Sequence, residues 1–167
     1  GVIADPSVPE EEIDQFVAGY VTPSADEDEE DQGPKYEFVD TSSGTLRYAK
    51  RGSGDETVVL IHGFGGDLDG WLFNIDALGE AATVYALDLP GHGQSTKSLA
   101  NPSLATMTTA LSEFMDKLGI NSAHLVGHSM GGAIAMHMAS EDAGKVDSLT
   151  LICPAGLGKE IGGYVDA

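Results

Sequence analysis

The sequence is poor in cysteine, in long apolar runs and in targeting signals, and each shortage excludes a class of protein. The single cysteine, Cys153, rules out an internal disulfide and fits a reducing compartment such as the cytoplasm. No run of about eighteen apolar residues occurs, so no membrane span is predicted. The chain begins with Gly1, not methionine, and without a secretory signal, so we expect it to be part of something longer.

Basic residues are also few: eight Lys and Arg stand against 27 Asp and Glu, for a net charge of −19. Residues 1–34 hold eleven of the acids and no base, which leaves a net charge of −8 for the rest. Such a surface repels nucleic acid and anionic membranes, so neither is expected as a partner. In this front segment, a capping box at Ser7 and Glu10 predicts a short helix to about Tyr20, and the acidic run Asp26–Asp31 predicts an extended linker.

From Lys35 onward, strand patterns alternate with helix patterns. The sequence predicts a hairpin over Tyr36–Asp40 and Thr45–Lys50, then strands over Thr57–Ile61, Thr83–Leu89, Ala123–Gly127 and Val146–Cys153, and helices over Trp71–Leu78, Leu104–Leu118 and Gly131–Ser140. Because the later strands are nearly continuous apolar runs, we expect a mostly parallel sheet with helices on both faces and the hairpin as an antiparallel edge.

Two of the predicted helices carry apolar residues along one side. The helix over 104–118 has the stripe Met107, Leu111, Phe114 and Leu118. The helix over 71–78 places Trp71, Ile75 and Leu78 on one side.

The segment Gly127-His128-Ser129-Met130-Gly131 fits the pattern G-x-S-x-G and lies between an apolar strand and a helix of small residues. A nucleophilic serine in such a motif sits on a sharp strand-to-helix turn, where side chains in place of Gly127 or Gly131 would collide. The helix N-terminus then favours developing negative charge at Ser129. A chance match in an ordinary turn stays open from this motif alone.

A second motif, His62-Gly63-Phe64-Gly65-Gly66, follows an earlier strand about 65 residues upstream. The backbone N–H groups of Phe64 and Met130 could converge there on one carbonyl oxygen and form an oxyanion hole. His62 and Gly63 would support that loop, as Gly127, His128 and Gly131 support the serine turn. The two motifs together predict acyl-transfer chemistry at Ser129.

With the third segment LDLPGHGQS at residues 87–95, the motifs HGFGG and GHSMGG resemble the α/β-hydrolase superfamily over about residues 36–156, in the branch of esterases and carbon–carbon hydrolases. The resemblance implies the N-terminal half of an α/β-hydrolase fold. In this family the acid and the histidine base follow the serine in the chain. We therefore expect both beyond residue 167, and the chain by itself to be inactive.

A narrower resemblance rests on GVIADPSVPEEEIDQFV, GPKYEFVDTSSGTLRYAKRG, GFGGDLDGWLFNIDALGE and LICPAGLGKEIGGYVD. These segments are similar to the E2 components of bacterial acetoin dehydrogenase complexes. The resemblance implies that residues 1–34 are the end of a lipoyl domain, a short helix and a linker, and that residues 35–167 begin the hydrolase-fold domain. It implies acetyl transfer from dihydrolipoamide to coenzyme A, with the lipoyl group on the preceding domain and other subunits of the complex as partners.

Two other functions stay open. One is a carboxylic-ester hydrolase of the same fold. The other is a non-catalytic tethering or assembly module, in which residues 1–34 dock a partner subunit.

The remaining candidate residues are given structural roles. His128 should point away from Ser129, His62 should hold the oxyanion loop by a hydrogen bond, and His92 is expected to shape its loop, with His124 and His137 structural or at the surface. Asp88 should organise the loop that follows it, and Cys153 is expected to pack at a strand end. No grouping of Cys, His or carboxylates has metal-ligand spacing, so no metal is predicted.

Overall fold

The computed structural model describes residues 35–99 and 101–157. The strand tail, capped helix and acidic linker predicted within residues 1–34 lie outside the described residues. So does the division of the chain into two domains at residue 34.

Six strands and three α-helices follow one another in the order that the sequence predicts. The strands are β1 (Tyr36–Thr41), β2 (Gly44–Arg51), β3 (Thr57–Ile61), β4 (Thr83–Leu87), β5 (Ala123–His128) and β6 (Val146–Ile152), and the helices are α1 (Leu72–Gly79), α2 (Leu104–Lys117) and α3 (Met130–Glu141). Two short 3-10 helices, Leu68–Trp71 and Ala143–Lys145, precede α1 and β6.

The strands form one sheet in the order β1-β2-β4-β3-β5-β6. The pairs β1–β2 and β2–β4 are antiparallel, whereas β3 pairs in parallel with both β4 and β5, and β5 with β6. The predicted parallel sheet with an antiparallel N-terminal hairpin is therefore confirmed. Parallel pairing brings the carboxyl ends of β3, β4, β5 and β6 to one edge, and the candidate site lies there.

Helices cover both faces of the sheet, as predicted, because neighbouring residues of the buried strands face opposite sides. Val59 and Ile61 of β3 belong to a core with α2 and α3, whereas Leu60 belongs to a second core with α1. Both cores lie against central strands that are buried on both faces, which explains their unbroken apolar sequences.

The stripe predicted for α2 is buried at Met107, Leu111 and Phe114. The helix ends at Lys117, so Leu118 follows it and is only half-buried against the same core. At the other end, the Ser103 hydroxyl caps the helix by accepting a hydrogen bond from the Thr106 N–H at 3.2 Å.

On α1, Ile75 is buried and Leu78 is 39% exposed. One prediction of packing is wrong. Cys153 was expected to pack, yet it is exposed and has a φ of 44°, since the chain leaves β6 at Ile152 in a sharp turn. Within the described residues, no helix is both long and apolar enough to cross a bilayer.

Replacing Phe114 with Ala should lower the free energy of unfolding by about 3–5 kcal/mol, because its ring is fully buried and its removal leaves a cavity. The matched control is Phe73→Ala on α1, whose ring is 98% exposed and whose loss should change stability by less than about 0.5 kcal/mol. Urea unfolding of the full-length protein, followed by circular dichroism, measures both. Equal effects of the two substitutions would contradict the packing described here.

Candidate active site

Ser129 forms the turn between β5 and α3 and adopts a backbone conformation that side chains rarely allow. Its φ is 52° and its ψ is −115°, a strained combination for a residue with a Cβ. The surrounding backbone holds it there. The Ser129 N–H donates to the carbonyl oxygen of Ile152 at 3.0 Å, and the Ser129 carbonyl accepts from Gly132 at 3.0 Å and Ala155 at 2.9 Å. The turn is thus fixed by α3 and by the segment that leaves β6.

Three glycines around Ser129 have no room for a side chain. A Cβ at Gly127 would lie 2.5 Å from the carbonyl oxygen of Gly131, and one at Gly131 would overlap the carbonyl oxygen of Ile61. At Gly132, a Cβ would come within 2.7 Å of a Pro154 side-chain carbon. The close approach of α3 to the ends of β3 and β6 therefore requires glycine at these positions. The same close approach places Ser129 at the edge of the sheet.

The loop that follows β3 lies directly against the serine. A Cβ at Gly63 would be 3.1 Å from the Cβ of Ser129 and 2.9 Å from Nδ1 of His128. Between this loop and the turn is a cleft of about 440 Å³ whose walls include His62, Gly63, Phe64, Trp71, His128 and Ser129. Met130 does not line this cleft with its side chain, which lines a neighbouring cavity.

His62 connects the loops that follow β3 and β4. Its Nε2 accepts a hydrogen bond from the Leu89 N–H at 3.0 Å, and its Nδ1 lies 2.8 Å from the Gly63 carbonyl oxygen. These two partners require the proton on Nδ1 and a neutral ring. Burial, with 4% of the residue exposed, lowers the pKa of His62 below its usual 6.5 and favours the same state.

His92 makes contacts within its own loop, in keeping with the expected role, whereas His128 differs from its expected position. The backbone N–H of His92 donates to the Leu89 carbonyl oxygen, and its Nδ1 lies 3.0 Å from the Pro90 carbonyl oxygen. The ring of His128, predicted to point away from Ser129, instead lines the same cleft and is exposed. In residues 35–99 and 101–157, no histidine ring is hydrogen-bonded to the Ser129 hydroxyl.

Asp88 organises the loop after β4, and it does so as a fully buried carboxylate. It accepts hydrogen bonds from Arg47 Nε at 2.7 Å, from the Leu68 N–H at 2.8 Å and from the Gln94 N–H at 2.6 Å. A Cβ at Gly93, where φ is 48°, would overlap this carboxylate. The carboxyl group of Asp88 is therefore surrounded by structural contacts.

Sequence analysis missed Arg47, which is 2% exposed on β2. Its guanidinium also lies 3.5 Å from Asp69 and 4.7 Å from the ring centre of Tyr36. Burial would lower the pKa of Arg47, but the hydrogen bond and charge of Asp88 outweigh it and raise that pKa. Because side chains alternate along a strand, the sequence could have placed Arg47 on the sheet face opposite to that of Leu46. No neighbouring residue in the sequence indicates that this second face of β2 is covered.

Trp71 was also not predicted as part of the site. It ends the 3-10 helix Leu68–Trp71 and lines the serine cleft, and its buried Nε1 has no hydrogen-bond partner among the described residues. His124 and His137 lie outside the serine cleft. The same described part of the chain contains no cluster of three or more metal-ligating side chains.

Comparisons with known proteins agree with this geometry. The family model described as alpha/beta hydrolase fold matches residues 56–162. The chain is 50% identical, over 99% of its length, to a protein of Cupriavidus necator named dihydrolipoyllysine-residue acetyltransferase component of acetoin cleaving system. It is 41% identical, over 97% of its length, to a protein of the same name from Pseudomonas putida. The chain spans 45% of each of these relatives.

Among solved structures, the chain is similar to a bacterial membrane phospholipase A described as a virulence factor. The TM-score is 0.72 and the sequence identity 38%, over 75% of this chain and 41% of the other. Strands β3 to β6, the serine turn and the loop after β3 lie within the family match, whereas β1 and β2 precede it.

Replacing Asp88 with Asn should lower the free energy of unfolding by about 3–5 kcal/mol, because the buried charge of Arg47 would lose its buried counter-ion and keep only the partly exposed Asp69. The matched control is Asp76→Asn, which removes an exposed ion pair to Arg51 and should cost at most about 1 kcal/mol. Urea unfolding of the full-length protein measures both losses. A small loss for Asp88→Asn would show that the buried pair is not needed.

The contribution of His62 to stability should depend on pH. The unfolded ring takes up a proton near pH 6.5, whereas the buried ring does so only at lower pH. The contribution is therefore complete above pH 6.5 and falls as the pH drops below it. His62→Gln should destabilise by about 1–3 kcal/mol near pH 8, and by less near pH 5. Unfolding of both proteins at the two pH values tests this, and a constant difference would contradict a neutral buried ring.

Proposed function

Because the chain belongs to the α/β-hydrolase-fold family, we propose that Ser129 is a catalytic nucleophile of acyl transfer. The observation that carries the proposal is the strained turn at Ser129, which opens into a cleft opposite the loop after β3. This is the arrangement of a nucleophile elbow, in which a sharp turn presents the serine hydroxyl at the end of a strand. The N-terminus of α3 adds a partial positive charge beside it.

The backbone N–H groups of Phe64 and Met130 are proposed as the oxyanion hole. Met130 is the first residue of α3, so its N–H has no acceptor within the helix. Phe64 lies in the loop against Ser129. Each donor of this kind stabilises the transition state by about 3–4 kcal/mol, because it is already in place when the negative charge forms.

The base that takes the Ser129 proton is proposed to lie outside the described residues. His62 is neutral and bonded through both nitrogens, and His92 is bound to its own loop. His128 faces the cleft, and among the described residues no hydrogen bond joins its ring to the serine or to a carboxylate. A triad base needs both of these contacts.

For the specific reaction, we propose acetyl transfer from dihydrolipoamide to coenzyme A. The Ser129 oxygen bonds to the thioester carbonyl carbon, the carbon–sulfur bond breaks, and dihydrolipoamide leaves as a thiol with the serine proton. The thiol of coenzyme A then attacks the acetyl-serine, and the hydroxyl is regenerated. No atom is oxidised or reduced. The names of the two relatives support this substrate pair, and a reducing cytoplasm would keep both thiols free.

A carboxylic-ester hydrolase is the second candidate. It is favoured by the likeness to the phospholipase structure and by a relative from Xenopus laevis named monoacylglycerol lipase, which is 37% identical over 73% of this chain. The two functions differ in the acyl donor, a thioester or a carboxylic ester, and in whether coenzyme A or water accepts the acyl group. Tethering by residues 1–34, with other subunits of a complex as partners, is compatible with either.

A fluorophosphonate probe should label the full-length protein at Ser129, and Ser129→Ala should abolish the labelling. The matched control is Ser148→Ala, because the Ser148 hydroxyl lies 2.7 Å from a nitrogen of His124 but stands on β6, away from the cleft. That variant should label like the wild type. Label that survives Ser129→Ala would overturn the nucleophile.

The acceptor is identified by supplying acetyl-dihydrolipoamide with and without coenzyme A. Formation of acetyl-coenzyme A that depends on Ser129 supports the transferase, whereas equal acetate release in both samples supports the hydrolase.

A further inference from the structure

A second cavity of about 410 Å³ lies next to the serine cleft, and Phe64 lines both. Its walls are mainly apolar and include Leu99, Leu104, Met107 and Ile134. Met107 and Ile134 are core residues, so the cavity reaches the packed interior between α2 and α3. Its size is within the range of sites that hold small apolar ligands.

The cavity adjoins the two residues whose N–H groups form the proposed oxyanion hole. The side chains of Phe64 and Met130 line it, whereas Ser129 lines the serine cleft. If those two N–H groups held a carbonyl oxygen, the acyl carbon would lie next to the boundary between the serine cleft and the second cavity. An acyl chain that continues from this carbon then either stays in the cleft or passes residue 64.

The ring of Phe64 lies at the boundary between the cleft and the cavity, and its position is defined by neighbouring rings. It meets the ring of His92 edge to face, with 5.9 Å between the centroids, and His92 in turn lies 5.1 Å from His62. Because His62 is fixed through both nitrogens, this row of rings positions Phe64 from the loop side. Phe64 itself is 84% exposed, so no core packing among the described residues requires a phenyl group there.

We propose that the second cavity is an acyl-chain subsite and that Phe64 separates it from Ser129. The ring restricts the native protein to short acyl groups such as acetyl, and a small residue at position 64 admits longer chains. This inference rests on the proposed function of Ser129, and it assigns the substrate class of that site.

The test compares p-nitrophenyl acetate, butyrate and hexanoate with the full-length protein. Ser129 bonds to the acyl carbon, p-nitrophenolate leaves, and water releases the carboxylic acid from the serine. The native protein should prefer acetate. Phe64→Ala keeps the backbone N–H and should raise the hexanoate-to-acetate ratio of kcat/KM at least about tenfold, since each methylene that enters an apolar site contributes about fourfold.

Two variants make the result specific to the cavity. Phe73→Ala removes another exposed phenyl group that lines neither space, and it should leave the ratio unchanged. Leu104, which is 42% exposed at the cavity wall, can be enlarged without disturbing the core. In the Phe64→Ala background, Leu104→Trp should fill the cavity and return the ratio toward the native value.

An unchanged ratio in Phe64→Ala, with acetate turnover retained, would overturn the subsite, as would a gain that persists with Leu104→Trp. If Phe64→Ala does not fold by circular dichroism, Phe64→Val replaces it and should give a smaller shift in the same direction. Failure of the proposed function has a different signature, because ester turnover would then survive Ser129→Ala.

Discussion

The buried carboxylate of Asp88 is the contact on which the arrangement of the site depends. It bonds Arg47 of β2, the 3-10 helix that follows the loop after β3, and the loop that follows β4. Three segments distant in the sequence therefore share one charged group that cannot move into solvent. Such a pair contributes little net stability compared with an apolar core, but removing one member leaves a bare buried charge. The other features of the site are built outward from this fixed point.

The strain at Ser129 is maintained by a similar combination of close packing and hydrogen bonds. Gly131 lets α3 touch the end of β3, and the carbonyl of Ile152 takes the serine N–H. The carboxyl edge of the sheet thus supplies both the contacts that hold the turn and the cleft that Ser129 lines. A rigid turn suits a reaction whose donors must be in position before charge develops.

The rings of His62, His92 and Phe64 lie in a row that links the loops held by Asp88 to the turn at Ser129. His62 is kept neutral by its two hydrogen bonds and its burial, so it contributes shape instead of charge to the cleft. The ring of Phe64 is 84% exposed among the described residues and meets the ring of His92 edge to face. In the proposed site, the N–H of this residue would hold the carbonyl oxygen while its side chain limits the space for the acyl group.

The sequence by itself determined the sheet type, the strand order along the chain and the position of the serine turn. These follow from local chemistry: apolar runs mark buried parallel strands, and only glycine fits beside a turn as tight as the one at Ser129. Tertiary structure decided the pairing of Arg47 with Asp88, which are 41 residues apart, the position of His128 within the cleft and the exposure of Leu78 and Cys153. These features depend on which surfaces pack together after folding. The residues next to a side chain in the sequence do not determine which distant surface it will contact.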